Sequence, residues 1–512
     1  MSEARGGRPG GPRRPRQDRA IGEQARPAGQ RERSGVQRDR FTAVDDARRV
    51  AFAVLRAVGD EDAYANLVLP KMLRAKRLDA RDAAFATELT YGVLRGRGAY
   101  DALIASVTDR ALSEIDAPVL DVLRIGAHQL LAMRVPDHAA VATSVALARV
   151  EVGAGPSGLV NAVLRSLVGL DLATELDRLA AEAGGSEDAR LALVSSHPEW
   201  IVRSLREALR AHGSDPAELP VLLAADNEAP AVALCALPGL AAPRKLLEPD
   251  TRVELEPGRW SPTAAVVRRG DPGAVPAVRD GNARVQDEGS QLVAHVLAAA
   301  PLEGRDEAWL DLCAGPGGKA ALLAAVAATR GARLTAVEVA PHRAELVRTS
   351  LAGIRRSHGE DAVTVRVADG REVGDDEPAA YDRILVDAPC TGLGALRRRP
   401  EARWRRTPAD LGSLGPLQRE LLGSALRAVR PGGVVAYATC SPVLAETRLV
   451  VDDAIRAAGK QGLEVERLDT PAVLATVPGA ESMPGVAAGQ AVQLWPHTHG
   501  TDAMHVQLLR RR

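Results

Sequence analysis

A short glycine-rich turn between an apolar strand and a helix sets the strongest limit on how this chain can fold. Residues 308–319 read AWLDLCAGPGGK, and a helix rich in Ala and Leu is predicted to continue to about Thr329. The glycines at 315, 317 and 318 carry no Cβ, so the backbone there can approach a ligand closely. A strand, a glycine loop and a helix in this order predict a nucleotide-type ligand site in an α/β sheet.

Further apolar strands are predicted along the C-terminal half of the chain, and they alternate with helices. This alternation predicts a mostly parallel, doubly wound sheet. Ligands of such sheets bind outside the carboxyl ends of the strands. The predicted strands are 308–312, 333–339, 363–367, 382–387, 433–439, 490–494 and 504–509.

Side chains at the predicted carboxyl ends of these strands favour an adenosine ligand without a phosphate chain. Glu338 can accept hydrogen bonds from both ribose hydroxyls. Gly318-Lys319 is followed by Ala320 rather than Ser or Thr, and a GxGxxG motif is missing, so neither ATP nor a dinucleotide fits. We therefore predict S-adenosylmethionine as the cofactor, with no metal. The predicted cofactor-binding residues are Asp311, Cys313, Ala314, Gly315, Pro316, Gly317, Gly318, Lys319, Glu338, Asp369 and Asp387.

Two of the four cysteines follow central strands and indicate covalent chemistry. Cys390 ends the segment DAPC that begins at Asp387, and Cys440 follows Thr439. The C5 atom of cytosine is too weakly nucleophilic to take a methyl group, whereas a thiolate added at C6 makes it enamine-like. A second group must then remove the C5 proton, and Asp387 can hydrogen-bond the N3/N4 edge. The predicted catalytic residues are Cys440, Cys390 and Asp387; the residues alone leave open which thiol attacks.

The N-terminal half predicts helices and no strands. Apolar residues at Leu120, Leu123 and Leu130 fall on one helical face. The fold class is therefore multidomain, with an all-α domain, a small α+β subdomain and a Rossmann-like α/β domain. The predicted divisions are a disordered tail at 1–40, an all-α domain at 41–172, a linker at 173–195, an α+β RNA-binding subdomain at 196–300 and the methyltransferase domain at 301–512.

Charge and cysteine usage narrow the class of protein. The net formal charge is zero, so affinity for nucleic acid must come from local patches. Residues 1–40 carry eleven Arg against five acids, and 396–406 carries six Arg around Trp404. The first segment predicts a solvated tail or a flexible arm on RNA, and the second a solvated loop or a surface that grips phosphates and stacks bases. Widely spaced cysteines without a CxxC pair argue against disulfides and zinc, and favour the cytoplasm.

Two regions resemble known families. Segments 123–131, 135–141 and 159–165 resemble the NusB family of RNA-binding helical domains. The motifs DLCAGPGGK at 311–319, DAPC at 387–390 and YATCS at 437–441 are similar to those of the RsmB/Sun/NOP-type RNA cytosine-5 methyltransferases.

The resemblance implies particular roles and partners. Cys440 would be the nucleophile and Cys390 would assist product release. The cofactor would bind at 313–319, Glu338, Asp369 and Asp387. The substrate would be RNA, by preference 16S rRNA, and we expect a monomer without a membrane segment. The chain departs from the usual motifs where Gly315, Glu338 and Ala368 replace Ala, Asp and Gly, and none of these changes removes a functional group.

Three alternatives compete with this interpretation. Cys390 could be the nucleophile, as the Pro-Cys cysteine is in DNA cytosine methyltransferases, although the Thr439-Cys440 pair argues against it. The chain could instead be a non-catalytic RNA-binding or assembly protein that works through its NusB-like domain. It could also methylate an RNA other than 16S rRNA.

Overall fold

Helices alone build the first part of the chain. The computed structural model describes residues 44–248, 252–486 and 490–512, so the predicted tail at 1–40 lies outside the described residues. The helices of this part are α1 Asp46–Asp60, α2 Ala65–Lys76, α3 Ala80–Ser106, α4 Ala117–Leu131, α5 Asp137–Leu147, α6 Ser157–Leu167, α7 Leu172–Ala183, α8 Glu187–Val194, α9 Glu199–Ala211 and α10 Leu219–Asn227. No helix in these ranges is long and apolar enough to cross a membrane.

One core holds the first helices together. Helix α1 begins where Asp45 Oδ1 accepts a hydrogen bond from Arg48 N at 2.9 Å, which satisfies one of the free N–H groups of the first turn. Helix α4 is buried along most of its length, including Leu123 and Ile125. It contacts α3, α5 and α6 and is therefore the central helix of this bundle.

A small antiparallel sheet follows, with strand order β2-β3-β1-β4. It has its own apolar core, to which Leu234, Ala265 and Val275 contribute. Its elements are β1 Val232–Ala236, α11 Pro243–Leu246, β2 Glu254–Pro257, β3 Ala264–Arg269, α12 Pro276–Arg279 and β4 Ala283–Val285. Helix α13, Glu288–Ala299, then leads into the main sheet.

The main sheet has the order β10-β12-β9-β8-β5-β6-β7, and β11 pairs with β12. Strands β5 to β9 are parallel to one another, whereas β10, β11 and β9 pair antiparallel with β12. The strands are β5 Ala308–Asp311, β6 Arg333–Glu338, β7 Val363–Val367, β8 Tyr381–Asp387, β9 Val429–Thr439, β10 Val465–Arg467, β11 Ala491–Gln493 and β12 His505–Arg511. The helices are α14 Gly318–Thr329, α15 Pro341–His358, α16 Val373–Asp376, α17 Ala402–Arg405, α18 Pro408–Ala428, α19 Arg448–Lys460, α20 Thr470–Leu474 and α21 Pro496–His499.

This architecture confirms the predicted fold class of a helical N-terminal region followed by a Rossmann-like α/β domain. All seven predicted strands of the main sheet are present, and β10 was missed because its three residues carry no apolar run. Helices continue to Asn227, and α8 to α10 share a core with Leu393, Leu396 and Trp495 of the α/β domain. The domain boundaries at 172, 195 and 300 stay predictions.

Arg403 joins the helical region to the α/β domain. Its side chain is fully buried, and its guanidinium donates to Ser196 O at 3.0 Å, Asn227 Oδ1 at 2.7 Å and Asp226 O at 3.2 Å. A contact to Arg95 O at 3.3 Å extends the network to α3. Both Nη atoms are thereby paired, as a buried charge requires, whereas Nε has no hydrogen-bond partner among the described residues.

We expect Arg403→Ala to lower the free energy of unfolding by about 2–4 kcal/mol, because several buried acceptors lose their donor at once. Urea unfolding followed by circular dichroism measures the change. Arg203→Ala is the matched control, since this arginine is exposed and its one ion pair in the described part of the chain is with Glu199 on the same helix. Its loss should cost under about 0.5 kcal/mol. Equal midpoints for the two variants would contradict this account.

Candidate active site

The parallel strands deliver their terminal side chains to one edge of the main sheet. Asp311 ends β5, Glu338 ends β6 and Asp387 ends β8. Cys440 follows directly after β9. Because parallel strands share one direction, these groups meet at the carboxyl edge, where ligands of this fold bind.

The glycine loop passes so close to its neighbours that side chains are excluded. A Cβ at Gly315 would lie 2.1 Å from Glu338 Oε2, and one at Gly317 would lie 2.6 Å from Ser350 Oγ. Gly317 also has a φ of 102°, which side-chain-bearing residues rarely adopt. Helix α14 begins at the next residue, so its free N–H groups face the loop.

The carboxylate of Glu338 is held rigidly beside this loop. Glu338 is 4% exposed, and its two oxygens accept hydrogen bonds from Gly315 N at 3.1 Å and Ala340 N at 3.0 Å. Arg343 Nη1 lies 3.4 Å from Oε2. Each oxygen keeps a further lone pair, so the group can still accept hydrogen bonds from a ligand.

Two buried polar atoms near the loop lack a partner among the described residues. Asp311 Oδ2 and Gln286 Oε1 have no hydrogen-bond donor, although both residues are almost fully buried. Burial raises the pKa of the Asp311 carboxyl to about 7, and the charge of Asp387 adds to this effect. Such unsatisfied acceptors beside a glycine loop fit a ligand that carries an ammonium or hydroxyl donor.

Cys390 and Cys440 lie in contact, with their Sγ atoms 3.4 Å apart. The hydrogen bond from Cys390 lowers the pKa of Cys440, against the opposing effects of burial and of Asp387. The same hydrogen bond, followed by burial, raises the pKa of Cys390 well above its usual range. The geometry therefore favours a thiolate at Cys440 and a neutral thiol at Cys390.

Lys319 follows the glycine loop in sequence, but its side chain interacts with Asp387 and with the charge on Cys440. Its Nζ donates to Asp387 Oδ2 at 2.9 Å. Burial lowers the pKa of Lys319, but the carboxylate of Asp387 outweighs it, so the net shift is upward and the ammonium stays charged. This charge also lowers the pKa of Cys440. Lys319 and Asp387 thus form a buried ion pair beside the reactive sulfur.

The loop that carries Cys390 is fixed by residues that the sequence did not single out. Glu446, fully buried, accepts hydrogen bonds from Thr391 N at 2.8 Å and from Gln418 Nε2 at 3.2 Å. Gln418 also donates to Pro389 O at 2.7 Å. A glutamate six residues after a reactive cysteine carries no sequence signal of this role, because its partners lie 55 and 28 positions away.

Asp369 lies beyond the end of β7 and is already paired. Its carboxylate accepts from Arg371 Nε at 3.0 Å and from Arg371 Nη2 at 2.6 Å, and this hydrogen bonding lowers its pKa. Arg371 is in turn 3.2 Å from Glu420. Asp369 thus lies at the carboxyl edge of the sheet. In the strand order, Glu338 on β6 lies between Asp369 after β7 and the thiols after β8 and β9.

The Arg-rich segment 396–406 differs from its prediction as a surface for phosphates and bases. Arg403 is buried, and a face of the Trp404 ring is covered by Arg97 at 5.7 Å. Most arginines of the segment serve the protein itself. The pairs are Arg397 with Asp287 and Asp502, Arg398 with the same two carboxylates, Arg405 with Val58 O and Ala63 O, and Arg406 with Thr391 O. The prediction was wrong for these residues because composition does not reveal partners distant in the chain.

The different pKa directions of the two thiols predict their reactivity. Iodoacetamide should modify Cys440 before Cys390, and the pH of half-maximal rate for Cys440 should lie below that of an ordinary free cysteine. The thiolate fraction rises with pH, so a lowered pKa moves this rise to lower pH. Lys319→Met should move it back to higher pH, because the stabilising charge is gone.

Peptide mapping of the alkylated protein across a pH series distinguishes the cysteines. Lys460→Met, at an exposed helix end, is the matched control and should leave the profile of Cys440 in place. Preferential modification of Cys390, or an unchanged profile in Lys319→Met, would show that this reading of the charges is incorrect.

Comparison with known proteins gives two family matches. Residues 297–510 match the family described as 16S rRNA methyltransferase RsmB/F, and residues 45–168 match the NusB family. The crystal structure of PH0851 superposes with a TM-score of 0.72 at 21% identity, covering 91% of this chain and 98% of that one, which shows a shared fold.

Curated relatives align over nearly the whole chain. "Putative methyltransferase Rv1407" of Mycobacterium tuberculosis is 49% identical over 91% of this chain and 97% of its own length. "Ribosomal RNA small subunit methyltransferase B" of Escherichia coli is 30% identical over 86% of this chain and 96% of its own length. With these relatives and both domain matches in the expected order, the chain belongs to the RsmB/F family of 16S rRNA methyltransferases.

Proposed function

We propose that this protein transfers a methyl group from S-adenosylmethionine to C5 of a cytosine in 16S rRNA, with Cys440 as nucleophile and Cys390 assisting release. The observation that carries the proposal is the contact of two thiols, 3.4 Å apart, beside the Lys319–Asp387 ion pair. Methylation at a nucleophilic oxygen or nitrogen would need no such pair of sulfurs.

The pKa directions assign the thiols to different steps. Cys440, with the lowered pKa, forms a bond from Sγ to C6, and the electron pair moves to C5. Asp387 is held in place by its ion pair with Lys319. Its carboxyl group would face the N3/N4 edge of the base and stabilise the adduct there. After methylation at C5, loss of the C5 proton and cleavage of the sulfur–C6 bond release the product.

Cys390 is more readily available as a thiolate once the adduct has formed. Its pKa is raised first of all by the hydrogen bond with Cys440. When Cys440 is bonded to C6 its sulfur is a neutral thioether, so this cause disappears and Cys390 ionises more easily. Once Cys390 has released its own proton to solvent, its thiolate can accept the C5 proton. The supporting loop of Thr391 and Glu446 holds the sulfur in place for this transfer.

The glycine loop is the proposed cofactor site. The cofactor, when bound, supplies an electrophilic methyl group. Glu338 would bind the ribose hydroxyls, the backbone of 313–319 would lie against the methionine end, and Asp311 Oδ2 would accept from its ammonium. Asp369 would lie nearer the adenine, from its position after β7. The excluded side chains at Gly315 and Gly317 support this fit.

Gly315→Ala tests the cofactor site directly. The new methyl group would collide with Glu338 Oε2, so the loop or the carboxylate must move, and the affinity for S-adenosylmethionine should fall at least about tenfold. Isothermal calorimetry measures it. Gly412→Ala is the control, because a Cβ there meets nothing within 4 Å in helix α18. Equal affinities would contradict a cofactor site at this loop.

The covalent step is tested by separate cysteine variants with radiolabelled cofactor and a 16S rRNA transcript. Cys440→Ala should give neither methyl transfer nor a protein–RNA adduct. Cys390→Ala should accumulate an adduct that survives denaturing electrophoresis, because release fails. Cys235→Ala, in the buried strand β1, should behave like wild type. The opposite pattern for Cys440 and Cys390 would make Cys390 the nucleophile.

The target rests on relatives named for small-subunit ribosomal RNA. Bisulfite sequencing of stable RNAs, from a gene deletion complemented with wild type or with Cys440→Ala, tests it. A cytosine mark in 16S rRNA should return only with wild type. A cytosine mark that returns in another RNA would identify that RNA as the substrate. The same methylation pattern in all strains would favour a non-catalytic RNA-binding role.

A further inference from the structure

One arginine of the segment 396–406 is unlike the other five. Arg399 is exposed, and within the described ranges its guanidinium has no hydrogen bond or salt bridge to the protein. Its neighbours Arg397 and Arg398 bind Asp287 and Asp502 instead. A cation left free in a segment where every other cation is occupied is available for an external anion.

Arg399 is nevertheless held in a defined position. Its guanidinium carbon lies 5.1 Å from the ring centre of Tyr64, in the helical region, and Arg405 lies 5.5 Å from the same ring. Tyr64 remains 36% exposed. Cation–π contact of this kind orients a guanidinium without using its hydrogen-bond donors. All five N–H groups of Arg399 therefore remain free to bind a ligand.

The α/β domain fixes the tyrosine in turn. Glu401 Oε1 accepts a hydrogen bond from Ala65 N at 3.1 Å, at the start of helix α2. Arg405 donates to Val58 O in helix α1 and to Ala63 O in the turn that precedes Tyr64, each at 2.6 Å. The segment that carries Arg399 thus also anchors the turn that carries its aromatic partner.

Arg399 lies close to Cys440. Gly394 N donates to Cys440 O at 2.9 Å, and Arg399 N donates to Ala395 O at 2.9 Å, so one helical turn connects the guanidinium to the backbone of the reactive cysteine. The charge of Arg399 is also close enough to contribute to the lowered pKa of Cys440. An anion bound by Arg399 would therefore lie next to the base that enters the site.

We propose that Arg399, oriented by Tyr64 of the helical domain, binds an RNA phosphate adjacent to the target cytidine. This inference rests on the proposed function and assigns the NusB-like domain a part in substrate binding through Tyr64. The target base must leave its stack to reach Cys440, and a fixed phosphate contact beside it holds the strand in that position. Arg399 is a binding residue and Tyr64 a positioning residue.

The experiment measures binding and turnover of a 16S rRNA transcript by the full chain. Arg399→Ala should raise both Kd and KM for the transcript about tenfold, with a smaller change in turnover at saturating RNA. The slope of log Kd against log salt should fall by about 0.7–0.9, the loss of one phosphate contact. Arg399→Lys, which keeps the charge, should retain the salt slope.

The role of Tyr64 is tested with one variant that removes the aromatic ring and one that keeps it. Tyr64→Ala should weaken RNA binding severalfold, whereas Tyr64→Phe should restore it, because the aromatic face is retained. Arg333→Ala is the matched control, since this exposed arginine lies at the amino end of β6, the edge of the sheet opposite the site. Unchanged affinity for S-adenosylmethionine would show that each variant is folded.

The outcomes separate this inference from the proposed function. A wild-type protein that methylates the transcript, with Arg399→Ala unchanged in Kd and salt slope, would overturn the inference and leave the function standing. A shifted alkylation profile of Cys440 with unchanged Kd would also overturn it, because Arg399 would then act on the thiol only. A wild type that neither binds nor methylates the transcript would overturn the proposed function itself.

Discussion

The parallel pairing of β8 with β9 is the contact on which the candidate chemistry depends. In its register Asp387 lies opposite Ala438, so the two loops that follow leave the sheet side by side and bring Cys390 and Cys440 together. A slip of one residue would turn every side chain of a strand to the other face. The register is fixed by the buried residues on both faces of these strands, including Leu385 and Val435. The close approach of the two thiols thus follows from core packing.

The hydrogen bond between the thiols of Cys390 and Cys440 gives them different pKa values. A shared proton can reside on only one sulfur, so the pKa of Cys440 falls while that of Cys390 rises. The Lys319 ammonium reinforces the difference. The chain has only five lysines against 61 arginines, and a lysine fits here because its compact charge needs a single carboxylate partner. A guanidinium would present five donors to a space where Asp387 is the one hydrogen-bond acceptor that the structure gives Lys319 in the described residues.

Sequence reasoning placed residues correctly where their position depends on their neighbours in the chain. The glycine loop, the ends of β5 and β6 and the cysteines after β8 and β9 all follow local patterns, and the structure has these elements where they were expected. It failed where the role depends on distant partners. Glu446 contacts Thr391 across 55 positions, and Arg405 reaches Val58 across 347. The amino-acid sequence of the segment 396–406 does not show that Arg403 is buried and Arg399 exposed.

The segment 396–406 therefore has two roles, one in joining the domains and one in the proposed RNA contact. Its composition alone does not distinguish them. Arg403 and Arg405 unite the helical region with the α/β domain, and the rigidity they provide is what makes Arg399 useful. A free surface arginine loses about 2 kcal/mol of side-chain entropy when it grips a ligand. Stacking on Tyr64 restricts the guanidinium before RNA arrives, so less of that entropy remains to be lost on binding. A helical domain that supplies no catalytic group can in this way still determine how firmly the substrate is held.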